Sequence, residues 1–269
     1  MKDAKPINSV QNPLVKRVLA LKDKSRERKK TELFVLEGQQ EVQLAIEGKY
    51  ELDTLLIHPD VCNDEDFLKS LENVSPRPEF IHISNEIYKK LAYRETTEGI
   101  LAIARSKSHT LDSLVLYSEN PFILIAEAPE KPGNIGALLR TADAANLDAV
   151  IIADPKTDIY NPNIIRSSVG TVFTNQIAMA STSEVIAFLG KRNISIFCAA
   201  LNASKIYTHV DFTQPSALVV GTEATGLSRP WLEYSHQNIV IPMGGQIDSL
   251  NVSVSAAILI FEGLRQRGF

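Results

Sequence analysis

The sequence predicts an α/β protein made of two units in series: a small one over 1–105 and a larger one over 121–269, joined by a linker at 106–120. Three observations predict it. From Pro121 onward, fully apolar runs such as Phe122 to Ala126 and Ala149 to Ala153 alternate with helical stretches, as in a mostly parallel sheet covered on both faces. Shorter strand–helix alternation fills the first hundred residues, a usual domain length. Three polar, glycine-bearing turns follow apolar strands in the second unit: Asn134-Ile135-Gly136 with Arg140, Gly221 to Leu227, and the turn from Ile241 to Asn251. Loops of this kind at strand ends are where α/β sheets hold ligands.

The elements follow in order. Leu14, Val15, Val18, Leu19 and Leu21 recur at helical spacing over 12–24, with Asn12 as N-cap and Pro13 at the first helical position. Leu33 to Leu36 is a strand, Gln39 to Ile46 a helix ended at Gly48, and Thr54 to Ile57 a strand. Glu65 to Leu71 is a helix, Phe80 to Ile83 a strand, Glu86 to Leu91 a helix and Ile100 to Ala104 a strand. The linker is polar and carries a helical turn within Leu111 to Tyr117. In the second unit, helices are expected at Ile135–Ala145, Asn163–Val169, Glu184–Lys191, Pro230–Tyr234 and Leu250–Arg267. Strands are expected at Phe122–Ala126, Ala149–Ala153, Thr174–Ala178, Ile194–Ala199, Ala217–Val220 and Asn238–Ile241. The terminal helix is apolar almost all round, so it is expected to be buried on more than one side.

Composition narrows the function. With 44% hydrophobic and 22% charged residues over 269 positions, the chain reads as an ordinary soluble globular protein of one large domain or two modest ones. No apolar run approaches the roughly 20 residues of a membrane span, and Met1 to Pro6 lacks the apolar core of a secretory signal, so a cytoplasmic protein is expected. Cys62 and Cys198 are isolated and His58, His82, His109, His209 and His236 are scattered, so neither a disulfide nor a metal site is expected.

The net charge of −4 is unevenly spread. Residues 1–30 hold ten basic against three acidic residues, leaving eighteen against twenty-nine in the rest. The densest run, Lys22 to Lys30, contains Lys24, Arg26, Arg28, Lys29 and Lys30. It reads either as a solvated helix end or as an arm tracking phosphates.

Each motif residue also has a plain structural reading. Asn134 suits an N-cap, and Arg140 between apolar neighbours suits a surface ion pair. Glu223, beyond a buried strand, is either a functional acid or the cap of the next helix. Ser249 and Asn251 bracket a helix start, and either can cap it. Ser253 and Ser255 within that helix are expected to bond the carbonyl one turn back. Arg166 and Ser168, in Tyr160 to Gly170, are candidate phosphate contacts or helix-surface residues. Neither G-x-G-x-x-G nor G-x-x-x-x-G-K-[ST] occurs, so no phosphate cradle competes for these loops.

Taken together, the three motifs and their order over 121–269 resemble the SpoU/TrmH family, RNA ribose 2'-O-methyltransferases of the SPOUT superfamily. The resemblance implies an α/β knot, a sheet whose chain is threaded into a deep trefoil. It implies S-adenosylmethionine as cofactor, held largely by backbone groups of Leu201, Gly221, Ile241, Met243, Leu250 and Asn251. It also implies a catalytic set of Arg140, Asn134, Glu223, Ser249 and Asn251, with Arg140 beside the methyl donor and the target ribose and Glu223 holding Arg140 or Asn134. Val35-Leu36-Glu37-Gly38, Asn12 to Lys16 and the basic run resemble the substrate-binding domain and opening of the rRNA-directed members, so the expected partner is structured RNA, rRNA before tRNA. A homodimer is implied as well. Three positions depart from the family pattern: Glu127 where Asp is frequent, Asn146 where Gly is frequent, and Ala224 where Gly is frequent.

A guanidinium, with a pKa above about 12, is a poor base. The resemblance implies that Arg140 takes the hydroxyl proton with help from an RNA phosphate. The alternative is that Arg140 positions that phosphate and stabilises the developing alkoxide while solvent takes the proton. A non-catalytic RNA-binding knot protein is the competing class, and a nucleotide-binding metabolic enzyme is disfavoured by the missing phosphate loop.

Overall fold

Two sheets carry the molecule, and they differ in strand direction. The computed structural model describes residues 4–93, 98–201, 204–222, 225–246 and 249–268. The chain divides into two compact units: 1–107 together with 158–174, and 108–157 together with 175–269. The second stretch of the first unit comes from a connection between strands of the second, a feature absent from the division at 105 and 121 expected from the sequence.

The first unit opens with β1 (Lys5–Ile7), α1 (Pro13–Asp23), α2 (Ser25–Thr31), β2 (Leu33–Glu37) and α3 (Gln39–Glu47). It continues through β3 (Leu52–Ile57), α4 (Glu65–Glu72), β4 (Glu79–Ile83), α5 (Asn85–Leu91) and β5 (Ile100–Arg105). The sheet order is β1-β4-β3-β5-β2, with β1, β3 and β4 parallel and β5 antiparallel to both β3 and β2. Helix α1 starts where expected: Asn12 Oδ1 accepts the Leu14 N–H at 2.8 Å and Pro13 occupies the first turn. Its Val15, Val18 and Leu21 enter the core with Val35, Ile81 and Ile87.

The basic run, read as a solvated helix end or a phosphate-tracking arm, folds as helix α2, packed on α1 and β2. It escapes periodicity arguments because only Arg28 among its seven residues is buried. Helix α7 (Pro162–Ser167), between the second and third strands of the other unit, completes the first unit. Tyr160 stacks on Phe34 with ring centroids 4.3 Å apart, and Phe173 lies 5.7 Å from Phe34 and 5.1 Å from Tyr50. All four rings are buried.

The second unit comprises β6 (Phe122–Glu127), α6 (Pro132–Ala144), β7 (Ala149–Ala153), β8 (Ile177–Ala180), α8 (Thr182–Lys191) and β9 (Ser195–Ala199). After these come β10 (Lys205–Ile206), β11 (Ser216–Val220), α9 (Arg229–Tyr234), β12 (Gln237–Val240) and α10 (Val252–Gln266). The linker's expected helical turn is a single 3-10 turn at Leu111–Ser113. All pairings are parallel, in the order β10-β12-β9-β11-β6-β7-β8. Alternate strand residues Ile123, Ile125, Ile151 and Val219 pack with Val185, Phe188, Leu189 and Trp231 of α8 and α9, as the period of two requires. Helix α10 packs on α6 and β11.

Strand β8 begins at Ile177, three residues later than expected, because 168–174 are spent in tight turns that pass Val169 and Gly170 at positive φ. Asn146, just after α6, adopts φ 47°. An Asn there tolerates the left-handed conformation that ends a helix, so its departure from Gly is conservative.

Candidate active site

Parallel pairing sets the site. Strands β12, β9, β11 and β6 are successive neighbours, so the loops leaving their C-terminal ends emerge along one edge of the sheet. These loops carry Ile241 and Met243 after β12, Leu201 after β9, Gly221 after β11 and Glu127 at the end of β6. The order is not that of the sequence, so the edge collects segments spread over more than a hundred residues.

Asn134 is not the cap it was expected to be. Pro132 starts α6 with Lys131 at the N-cap, so Asn134 lies inside the first turn, its own N–H bonded to the Lys131 carbonyl at 3.0 Å. Its side chain is therefore turned to another use: Asn134 Oδ1 accepts from Asn251 Nδ2 at 3.2 Å. Asn251 is the N-cap of α10, and its Oδ1 accepts from Ser253 N at 3.0 Å and Ser253 Oγ at 2.6 Å. Ser253 thus bonds the cap side chain instead of the expected carbonyl one turn back. One amide joins the first and third motifs and starts the terminal helix. Arg140, later on α6, is exposed, and its side chain makes no hydrogen bond or ion pair among the described residues. Ser249 is exposed, and Ile241, Met243 and Leu250 are half-buried. Glu223, with Ala224, lies outside the described residues.

The middle loop is shaped by glycine. A Cβ on Gly221 would collide with the carbonyl group of Gly226, because the loop folds back on itself. Thr222 and Gly226 exchange backbone hydrogen bonds of 3.2 and 3.1 Å, and Gly226 takes φ +67°. Thr222 Oγ1 accepts the Thr225 N–H at 3.1 Å.

Sequence reasoning left the role of Glu127 undefined, and the structure supplies one. Its carboxylate is buried at the end of β6, and Oε2 accepts the Ser228 N–H at 2.8 Å where α9 begins. This fastens the strand before the first motif to the exit of the second. Nothing local in the sequence signals a bond across 101 positions. Nearby Cys198 is buried, its Sγ 3.4 Å from the Trp231 carbonyl. Burial pushes its thiol up to about 12, the Glu127 charge adds to this, and the Ser235 hydrogen bond opposes it.

The polar candidates in the first unit separate cleanly. Lys24, Arg26, Lys29 and Lys30 are exposed on or beside α2. Arg28 is not available to phosphate. It is 5% exposed, pairs with Asp158 at 2.5 Å, and donates to the carbonyls of Leu21 at 2.7 Å and Lys22 at 3.1 Å. Ser168 is likewise corrected: it is fully buried, with Oγ donating to the Ile165 carbonyl at 2.9 Å. Arg166 is exposed; it donates to Asn163 Oδ1 at 3.1 Å and lies over the Tyr93 ring at 3.7 Å. Among the described residues no cluster of His, Cys, Asp and Glu could hold a metal ion, and no helix is long and apolar enough to cross a membrane.

A parallel sheet with three motif loops along its C-terminal edge, two of them joined by Asn134 and Asn251, is the arrangement that the resemblance to α/β-knot methyltransferases leads one to expect. Comparison with known proteins places it more closely. Residues 121–261 match the SpoU rRNA Methylase family and residues 12–102 the MRM3-like substrate binding domain. The chain is 28% identical over 257 residues to the 23S rRNA (guanosine(2553)-2'-O)-methyltransferase RlmP of Bacillus subtilis, covering 96% of this chain and 98% of that protein. Among solved structures, an RNA 2'-O ribose methyltransferase shares 36% identity with a TM-score of 0.84, over 98% of this chain and 100% of the other. The AdoMet-bound rRNA methyltransferase of Sinorhizobium meliloti shares 26% identity with a TM-score of 0.88, over 97% and 98%. The chain belongs to the SpoU rRNA methylase family.

Proposed function

We propose that this protein transfers the methyl group of S-adenosylmethionine to the ribose 2'-hydroxyl of a nucleotide in rRNA. The observation that carries the reading is the Asn134–Asn251 hydrogen bond, which ties the first motif to the third on the edge where Leu201, Gly221, Ile241 and Met243 leave their strands. The loops suit a cofactor without phosphates. They offer, at Gly221, a backbone approach too close for any side chain and, at Leu201, an apolar side chain 60% exposed that an adenine face would cover. Bound S-adenosylmethionine supplies an electrophilic methyl group on a sulfonium.

The protein's part is positioning and charge. Asn134 and Asn251 fix the entry of α6 against that of α10. Arg140, exposed and unpaired among the described residues, is placed to meet the RNA phosphate and the oxygen that gains negative charge as its proton leaves. Preorganised charge of this kind lowers the barrier without reorganisation at the moment of reaction. Glu223 is assigned the task of orienting Arg140 or Asn134, and Ser249 a place in the catalytic set beside Asn251.

Mapping ribose methylation across total RNA with and without the gene tests the reading and separates rRNA from tRNA. A profile unchanged at every rRNA nucleotide would refute the rRNA assignment. Calorimetry with S-adenosylmethionine separates an enzyme from an RNA-binding knot protein, since no binding at millimolar cofactor leaves only the second.

The active species is proposed to be a homodimer in the cytoplasm. Helix α10 covers α6 and β11 with Ala256, Leu259, Ile260 and Gly263 buried, yet Val254 and Phe261 remain exposed on its other side. A second copy related by a twofold axis would cover them.

A further inference from the structure

The first unit carries an exposed stacking surface that the motifs do not account for. Tyr93 is 58% exposed, and the guanidinium of exposed Arg166 lies 3.7 Å over its ring. Both partners are held in place. The Tyr93 N–H donates to both oxygens of Glu37 at 2.9 Å. Glu37 is in turn within 3.6 Å of Lys22 Nζ, which also donates to the Leu91 carbonyl. On the other side, Arg166 donates to Asn163 Oδ1 at 3.1 Å. The Lys22 carbonyl accepts from Arg28, and Arg28 pairs with Asp158 just ahead of α7. A closed ring of contacts within one unit therefore ties the Tyr93–Arg166 pair to Lys22 at the end of α1 and to Arg28 within basic helix α2. Glu37, in the stretch Val35-Leu36-Glu37-Gly38, has a physical role here: its carboxylate fixes the backbone that presents the tyrosine.

We infer that Tyr93 and Arg166 form a platform on which an unpaired base of the RNA substrate stacks, while Lys24, Arg26, Lys29 and Lys30 neutralise the adjoining phosphates. The inference rests on the reading of this protein as an RNA enzyme. Single-stranded RNA is held by this combination of an aromatic or guanidinium plane for the base and neighbouring basic charge for the backbone. Duplex RNA keeps its bases stacked on one another and cannot use such a plane. This reassigns Arg166 from a phosphate contact to half of a stacking surface.

The test uses the full-length protein, a short fluorescein-labelled RNA as single strand and as duplex, and fluorescence anisotropy. Tyr93→Ala is expected to weaken single-strand binding about tenfold, within the range for loss of one stacked base. Tyr93→Phe, which keeps the ring, should bind as wild type, and duplex binding should change little in either. Thermal melting monitors folding, and both variants are expected to melt near wild type because the ring is exposed. Tyr93→Ala binding the single strand as tightly as wild type overturns the platform and leaves Tyr93–Arg166 as an internal latch. Wild type binding purified rRNA but not the single strand also overturns it, leaving the proposed function intact. Wild type binding none of these RNAs would sink the RNA reading itself.

Discussion

Arg140 carries the chemistry in this reading, and its exposure makes the prediction clean. Arg140→Ala is expected to lower turnover by about a hundredfold to a thousandfold, the loss seen when one preorganised transition-state donor is removed. Cofactor affinity should stay near wild type, since the strand ends after β9, β11 and β12 do not include it. Turnover within a few-fold of wild type would remove Arg140 from the mechanism. Asn251→Ala should act twice over. It deletes the α10 cap, costing about 1 kcal/mol, and releases Asn134, so both stability and turnover fall; a variant that only loses stability denies Asn251 a part in the site. Cys198 behaves in the opposite way. With its thiol pushed up to about 12 by burial, it should resist alkylation near pH 8 until denaturant opens the fold. The folded chain keeps this proton where the unfolded chain, with an ordinary thiol near 8.5, releases it. Its contribution to stability is therefore full below about pH 8.5 and declines as pH rises toward 12. Melts across that window should fall less steeply in Cys198→Ala, and identical slopes would show that the thiol is not the titrating group.

At the scale of elements, α2 separates two kinds of basic residue that look alike in sequence. Arg28→Ala leaves Asp158 as an unpaired buried carboxylate, which costs about 3–5 kcal/mol for a buried pair and should show as a lower melting temperature. Lys29→Ala with Lys30→Ala should leave melting unchanged and make RNA binding less sensitive to salt, by a slope of roughly 0.7–0.9 for each phosphate that is no longer neutralised. Equal melting temperatures for the two sets would contradict the burial difference. Deleting residues 1–30, by contrast, would remove Val15, Val18 and Leu21 from the core, so it probes folding and not RNA binding. The same helix shows where the sequence was legible. Strands such as Phe122–Glu127 and Ala149–Ala153 could be read directly because both faces are buried and nearly every residue is apolar. Helix α2 has one buried residue and a charged remainder, so it has no apolar period to read. β1 and β10, three and two residues long, are too short to show alternation. Pro132 could have marked the true start of α6, as Pro13 did for α1. The motif residues were legible as types at strand ends, but the Asn134–Asn251 and Glu127–Ser228 bonds join positions 117 and 101 apart, and distance along the chain carries no signature of such a pairing.

For the whole molecule, the exposed Val254 and Phe261 on α10 predict a dimer of two 29.7 kDa chains. Light scattering at micromolar protein should give about twice that mass, and Phe261→Glu should shift it toward the monomer; a wild-type monomer excludes the assembly. The interleaving of 158–174 into the first unit has a different consequence, one of timing. A chain leaves the ribosome from its N-terminus at about 5–20 residues per second. Phe34 and Tyr50 emerge early, but the Tyr160 and Phe173 rings that pack against them are made only after two strands of the following sheet. The first unit must wait out that delay, several seconds at those rates, with two aromatic faces still open to solvent or to a chaperone. Residues 1–107 expressed alone are held in that state permanently, and should give a poorly dispersed amide spectrum that sharpens when a peptide of residues 158–174 is added.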